Sequence, residues 1–236
     1  MTRPRFREVC RTLNVPTRLY YELICRHCTP TSRQWWNDVL GNITSPFQRE
    51  EFAKAYTRAA RNLGGASLEL DPDEVRALSS SGLPLFQGHA LHELGRTVLL
   101  LCATEYLALN EQAEWIEALY ARGDNAEREA LLHALPLLPE PDRFLSTAVE
   151  ACRSNVQTVF EAIACENSYP ARYFPELSFN QMVMKAIFIG VPLRRIVGLP
   201  ARIAPVLVRM AKDYVQERTA AGRPVPDDIQ FITSGG

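Results

Sequence analysis

The sequence predicts an all-α protein built as an irregular stack of helical hairpins. Three observations lead to this fold class. Apolar residues recur at spacings of three and four, signals for helix starts and ends are dense, and the alternation typical of strands is almost absent. One clear run of this kind comprises Phe179, Met182, Val183, Ala186 and Ile187.

Helix boundaries can be assigned along the chain from capping residues. Asp71–Glu74 has an acidic N-cap, a proline in the first turn and a glutamate three positions after the cap. Ser45 and Pro46 open another helix in the same way, and Asp124 is predicted to cap a helix that runs to Leu135. Predicted ends, where a left-handed C-cap suits glycine, lie at Gly64, Gly82, Gly123, Gly190 and Gly222.

The C-terminal half has short helices separated by tight turns. After the helix that starts at Asp124, residues 139–142 form a proline turn. A second helix is predicted to end near Cys152, and a third to span Val156 to Ala164. This rhythm favours HEAT-like α-solenoid character in the C-terminal half, without a strict repeat.

The length of 236 residues and the apolar content of 47% allow a substantial core. We predict a single helical domain over residues 1–222, with a further division into an N-terminal lobe, 1–108, and a HEAT-like lobe, 109–222. The polar, proline-containing tail 223–236 is predicted to be extended or partly disordered.

Composition excludes several classes of protein. The net charge of −1 provides no overall field for nucleic acid. The longest apolar stretch, Val98 to Ala103, is far shorter than the roughly 20 residues of a membrane span. The basic start is followed by no apolar segment of signal-peptide length, and the six cysteines suit reduced, mostly buried thiols. These features predict a cytoplasmic protein, with peripheral association at the inner membrane as an option.

The segment 167–185 contains the most informative polar residues. Prolines at 170 and 175 stiffen what the sequence indicates is a loop leading into a helix. Arginine and tyrosine side chains there suit a polyol or phosphate group. In the alternative interpretation, Arg172 and Glu176 form a structural ion pair above packed tyrosines. We predict a ligand- or partner-binding surface of Tyr169, Arg172, Tyr173, Glu176, Asn180, Gln181 and Lys185.

Two other groups of residues are weaker candidates. His89 and His92 lie three apart on a predicted helix and can share a metal, but no third ligand is identifiable, so neither a metal nor another cofactor is predicted. Trp35 and Trp36 point in different directions on a helix, so one can lie in the core while the other faces a partner or lipid. Catalytic residues stay unknown, because neither a phosphate-binding glycine loop nor a nucleophile elbow is present.

The sequence from Tyr169 to Leu193, continued by Arg195 to Gly198, resembles the EboA family of bacterial proteins. The likeness is strong over the C-terminal half, whereas residues before about 110 share only helical character and length. Members are encoded beside a membrane prenyltransferase of the UbiA type and enzymes similar to sugar isomerases, dehydroquinate-type cyclases and metal-dependent hydrolases. The resemblance implies a role in making or exporting a secondary metabolite such as a prenylated cyclitol, and supplies no catalytic residues.

These observations together predict a non-catalytic accessory, scaffold or ligand-binding protein. Its expected partners are a pathway enzyme or the membrane prenyltransferase, and a small polar or prenylated molecule is a further candidate ligand. One alternative is an enzyme acting on a sugar-like or cyclitol phosphate, with Arg172 and Lys185 holding the anion and Glu176 acting as acid or base. Another is a peripheral membrane adaptor for a prenyltransferase, which would bind through its basic N-terminal residues Arg3, Arg5 and Arg7 and through Trp35 and Trp36.

Overall fold

The computed structural model describes residues 14–43 and 47–233. In this part of the chain there are fourteen α-helices and four 3-10 turns, and no strand. The predicted all-α fold class is therefore confirmed, while solenoid character stays a prediction. The predicted helix start at Ser45 and Pro46, the basic residues Arg3, Arg5 and Arg7, and Cys10 lie outside the described residues.

The chain divides into two compact units, residues 1–139 and 140–236. The single domain predicted over residues 1–222 stays a prediction. The described part of the first unit contains α1 (Val15–His27), α2 (Pro30–Ile43), α3 (Arg49–Leu63), α4 (Pro72–Ser80), α5 (Leu91–Tyr106), α6 (Leu109–Arg122), α7 (Asn125–Ala134) and a 3-10 turn (Leu135–Leu137).

Helix α5 is the central element of the first unit. Residues 94–104 are all buried, because α1, α3 and α7 each pack against this helix. Gly95 allows a close approach at the crossing with α3, since a Cβ atom there would overlap the end of the Leu63 side chain unless that side chain moved. The apolar run from Val98 to Ala103 is thus a core helix of a folded unit. Trp36 is fully buried in the same unit, whereas Trp35 is half-buried, an arrangement that the pair's spacing allows.

Capping assignments from the sequence hold at both acidic N-caps. The Asp71 and Asp124 side chains each accept from backbone N–H groups in the first turn, and a glutamate three positions later completes a capping box. Gly190 ends its helix with φ 78°, in the left-handed region. The assignment is wrong at Gly123, where φ is −66°, so the chain leaves that helix in an extended conformation.

The second unit contains α8 (Leu145–Cys152), α9 (Gln157–Ala164), α10 (Tyr169–Tyr173), α11 (Glu176–Ile189), α12 (Leu199–Arg202), α13 (Pro205–Ala220) and α14 (Gln230–Thr233), with 3-10 turns at Pro141–Phe144, Leu193–Arg195 and Asp227–Ile229. The predicted helix ends near Cys152 and Ala164 are confirmed. Phe144, Phe160 and Phe179 lie in the core of this unit.

The described part of the tail differs from the extended segment that the sequence predicts. Residues 227–233 form a 3-10 turn and a short helix instead. Ile229 and Ile232 are buried, and the Asp228 carboxylate accepts from the backbone N–H of Leu193 at 2.7 Å. Two isoleucines spaced by three give this polar segment an apolar anchor.

Most of the described cysteines are buried thiols, as predicted. Burial raises the pKa of the Cys152 thiol to about 12 and that of Cys165 to about 11, so both are protonated and unreactive near neutral pH. Cys28 and Cys102 are also buried, and Cys25 is half-buried. Within the described ranges, no helix combines the length and the hydrophobicity needed to cross a bilayer.

Candidate functional site

The segment predicted as a loop folds into helices α10 and α11. Pro170 lies in the first turn of α10 and Pro175 directly precedes α11, both positions that tolerate proline. The Asn167 side chain accepts from the Tyr169 N–H and donates to the Ala162 carbonyl, each at 2.9 Å. The loop assignment is therefore wrong over α10, because its prolines stand where a helix can begin.

Tyr169 is a core residue. Its hydroxyl donates to the Pro141 carbonyl at 2.5 Å, and its ring centroid lies 4.9 Å from that of half-buried Tyr173. Burial raises the pKa of Tyr169 above its ordinary value. The aromatic face that the sequence offers to a ligand is therefore occupied by the protein itself.

Lys185 is bound to the end of another helix. Its ammonium donates to the carbonyl oxygens of Cys152 at 2.7 Å and Ser154 at 2.6 Å, at the C-terminus of α8. The same group lies 4.8 Å from the centroid of the Phe160 ring. Burial lowers the pKa of Lys185, and the Cys152 thiol acts in the opposite direction. These contacts give Lys185 a structural role in the second unit.

Asn180 points into the core. It is 1% exposed, and neither of its amide atoms has a hydrogen-bond partner. Phe179 and Val183 on the same side of α11 are also buried. A buried amide without hydrogen-bond partners costs free energy, so Asn180 destabilises the fold at this position of α11.

Three of the seven predicted site residues face solvent. Arg172, Glu176 and Gln181 are exposed near the junction of α10 and α11. No ion pair joins Arg172 to Glu176 among the described residues, so the alternative of a structural pair is wrong. Both charges are therefore available for a partner.

An exposed apolar line runs along the same helix. Leu177, Gln181, Met184 and Phe188, spaced by four, three and four residues, point within about 60° of one another at 100° per residue. Leu177 is 64% exposed and Phe188 is 72% exposed. We call these four residues the α11 stripe. Sequence reasoning missed Leu177 and Phe188, although the signal exists, because α11 is apolar on more sides than one buried face needs.

Arg202 holds the end of α10 in place. Its guanidinium donates to the Ala171 carbonyl at 2.7 Å and to the Phe174 carbonyl at 2.8 Å, and lies 4.5 Å from the centroid of the Phe179 ring. It satisfies carbonyls that the short helix leaves unpaired. The sequence carries no local signal for this contact, which spans about 30 residues.

Arg195, in the 3-10 turn that follows α11, forms an ion-pair network. Its guanidinium contacts Glu161 at 2.5 Å and Glu166 at 3.0 Å. The hydrogen bond from Arg195 lowers the pKa of Glu161, outweighing the opposite effect of burial. Glu166 has φ 50° and donates its backbone N–H to the Arg195 carbonyl. This network braces the turn between α9 and α10.

The two histidines proposed as weak metal ligands are not brought together. His92 faces the Arg96 guanidinium, with Nδ1 and a terminal nitrogen 3.2 Å apart. Burial, and then the Arg96 charge, lower the pKa of His92. The His89 Nδ1 lies 2.8 Å from a Glu93 carboxylate oxygen, and the His133 Nδ1 lies 3.9 Å from the same oxygen.

The profile of the family described as metabolite traffic protein EboA matches residues 17–233. The chain belongs to the EboA family. The match extends the resemblance, recognised on residues 169–198, through the N-terminal half. Comparisons with curated proteins and with solved structures found no match. The family's description fits an accessory role.

Within this EboA-family chain, the structure separates the seven predicted residues by environment. Tyr169 and Asn180 are in the core, Tyr173 is half-buried and Lys185 is bound to carbonyls. Arg172 and Glu176 are exposed near the α11 stripe, and Gln181 is exposed within it. Helix periodicity can tell the faces of α11 apart, but only neighbouring elements decide which face is covered.

Proposed function

We propose that this EboA-family protein is a non-catalytic accessory protein of a bacterial secondary-metabolite pathway of the prenylated cyclitol type. It acts in biosynthesis or export by binding a partner protein through the α11 stripe. The observation that supports this proposal is the solvent exposure of Leu177 and Phe188 on one line of a helix whose other side is core.

Single exposed apolar residues are common on protein surfaces, but three apolar residues on one exposed side of a helix, here interrupted by Gln181, are less so. From Leu177 to Phe188 the stripe extends about 16 Å at 1.5 Å per residue. Met184, half-buried, lies between them and continues the apolar surface. Covering this surface with an apolar surface of a partner removes both from water. The resulting gain in free energy of binding increases with the apolar area that is covered.

The stripe suits a helix of the partner. Spacings of four, three and four residues are those at which side chains of one helix interdigitate with those of another. Arg172 and Glu176 stand near the N-terminal end of α11, exposed and outside ion pairs. A partner helix with apolar residues at the same spacings, and with one acidic and one basic side chain at its end, would complement them.

The proposed partner is a pathway enzyme or a cytosolic helix of the membrane prenyltransferase. Peripheral association with the inner membrane would then follow from the partner. The alternative of an enzyme acting on a sugar-like phosphate requires Lys185 to hold the anion, and this ammonium already donates to two carbonyl oxygens.

The proposal is tested with a double substitution, Leu177→Glu with Phe188→Glu, in a strain that expresses the neighbouring pathway genes. The matched control is Phe231→Glu, which alters a 60% exposed phenylalanine on α14 in the same unit. All three residues are exposed, so we expect folding, followed by circular dichroism, to be unaffected. A photoreactive phenylalanine at position 188 identifies the contacted peptide.

We expect the double variant to lose both the co-purified partner and product formation or export, while the control retains both. The crosslinked peptide should be an amphipathic helix of a protein encoded by the same cluster. Full product formation by the folded double variant would contradict the proposal. A crosslink to a second copy of this chain would replace it with self-association.

A further inference from the structure

We infer that His89, Glu93 and His133 form a binding site for one divalent transition-metal ion, with Zn²⁺ preferred. One ligand atom from each of these residues lies within 4.8 Å of the others, and this is the one such group of three in the described part of the chain. All three belong to the first unit, so the inference is independent of the proposed function of α11.

The geometry is close to that of a metal site. Zinc with ligand bonds of about 2.0–2.1 Å in a tetrahedral arrangement separates its ligand atoms by about 3.3 Å. The Glu93 oxygen lies 2.8 Å from the Nδ1 of His89 and 3.9 Å from the Nδ1 of His133, values on either side of that separation. Adjustments of about half an ångström at these two contacts, together with a closer approach of the two histidine ligand atoms, which lie within 4.8 Å of each other, would admit the ion.

The three ligands are held by different elements of the unit. The backbone of His89 is fixed by its carbonyl, which accepts from Leu68, and by its N–H, which donates to Phe86. Glu93 lies in the first turn of α5, and His133 in the last turn of α7. Helices α5 and α7 pack against each other, so the core positions Glu93 and His133, while His89 lies in the segment that precedes α5.

The hydrogen bond between His89 and Glu93 leaves the buried Nδ1 atom of His133 unexplained. Its Nδ1 is buried and has no hydrogen-bond partner, although His89 and Glu93 already satisfy each other. Phe86, buried with φ 52°, places its ring 5.4 Å from that of His89 and 6.5 Å from that of His133. A bulky residue rarely adopts this backbone conformation, and such strain is concentrated at functional sites. A metal ion would supply the partner that His133 lacks.

The ligand set selects the class of metal. Two imidazoles and one carboxylate suit Zn²⁺ and neighbouring transition metals, whereas Mg²⁺ and Ca²⁺ require oxygen ligands. The side chains of His89, Glu93 and His133 are 30%, 19% and 18% exposed, so each of them is only partly accessible. An ion held by these three residues would take a fourth ligand, such as water, to complete tetrahedral coordination.

The test uses the untagged, full-length protein with Cys25→Ala, which removes one thiol of the Cys25–Cys28 pair as a competing ligand. Zinc affinity is measured by competition with a chromophoric chelator, and Co²⁺ provides a spectroscopic probe. The variant is His133→Phe, which keeps an aromatic ring against Phe86. The control is His92→Asn, which removes a histidine outside the group and retains an acceptor for Arg96.

We expect one zinc per chain, a loss of affinity of at least about tenfold in His133→Phe, and unchanged affinity in His92→Asn. Zinc should raise the melting temperature of the parent and of the control, but not that of His133→Phe. Absence of zinc binding by the parent, or unchanged affinity in His133→Phe, would overturn the inference. If His133→Phe does not fold, Glu93→Gln, at a part-exposed position, provides the same comparison.

Discussion

Replacing Lys185 by methionine distinguishes a ligand-binding lysine from a structural one. The sequence predicts that Lys185 binds a ligand or partner, whereas in the structure its ammonium donates to the Cys152 and Ser154 carbonyls at 2.7 and 2.6 Å. Methionine is an unbranched apolar side chain of similar length, so it replaces the lysine stem while it removes the charged donor. We therefore expect Lys185→Met to destabilise the second unit.

The size of the effect follows from the contacts that are lost. Each charge-assisted hydrogen bond contributes about 1.5–3 kcal/mol, and a cation over an aromatic ring contributes about 0.5–1 kcal/mol. These contributions are not additive, and the folded state also bears the cost of removing the ammonium from water. We expect the free energy of unfolding to fall by about 2–4 kcal/mol, which places the change among the larger effects of single substitutions.

Urea denaturation followed by far-ultraviolet circular dichroism measures this loss, because the three tryptophans of the chain all lie in the first unit and do not report on the second. Hydrogen exchange should show faster exchange in α8 and α11. The matched control is Lys212→Met, at an exposed position of α13, where a change within about 0.5 kcal/mol is expected. If Lys185→Met is as stable as this control, the carbonyl contacts do not stabilise the fold and the reasoning is refuted.

Two further changes test contacts of the second unit. The Arg195 hydrogen bond lowers the pKa of Glu161 below its ordinary value of 4.5, so this pair stabilises the protein above about pH 4.5 and loses its effect as pH falls through the lowered value. Arg195→Gln should therefore lower the free energy of unfolding by about 0.2–1 kcal/mol at pH 7. In urea titrations from pH 3 to 7, the free energy of unfolding of this variant should depend less on pH than that of the parent. The same pH dependence in both proteins would contradict this. Asn180→Leu should raise the free energy of unfolding by about 1 kcal/mol, since it removes two buried amide atoms without partners. A loss of stability in the same denaturation assay would instead show that a buried water or ligand satisfies the amide.

Much of the secondary structure could be predicted because its causes are local. The capping boxes at Asp71 and Asp124 depend on residues three apart, and the helix ends near Cys152 and Ala164 follow from nearby turns. The prediction failed over α10, where prolines suggested a loop. Proline restricts the backbone but allows the first turn of a helix, so the same residue types suit both structures.

The candidate sites could be predicted only in part. The sequence drew attention to segment 167–185, and three of its residues, Arg172, Glu176 and Gln181, do face solvent. It could not assign Lys185 to the carbonyls of α8, because that contact joins residues more than 30 positions apart. For the same reason the sequence could not predict that His133 lies beside His89. No local pattern links a histidine in the last turn of one helix to a histidine just before the start of another.

By itself, the sequence determined the all-α fold class, the two acidic N-caps and the resemblance to the EboA family, because these depend on periodicity, short-range hydrogen bonds and a characteristic segment. The tertiary structure alone decided which polar groups are available. Packing in the second unit uses Tyr169 and Lys185 within the fold and leaves Leu177 and Phe188 in water, while packing of α5 against α7 in the first unit brings His133 to His89 and Glu93. Burial and long-range contacts are properties of neighbouring elements, and a linear pattern does not contain them.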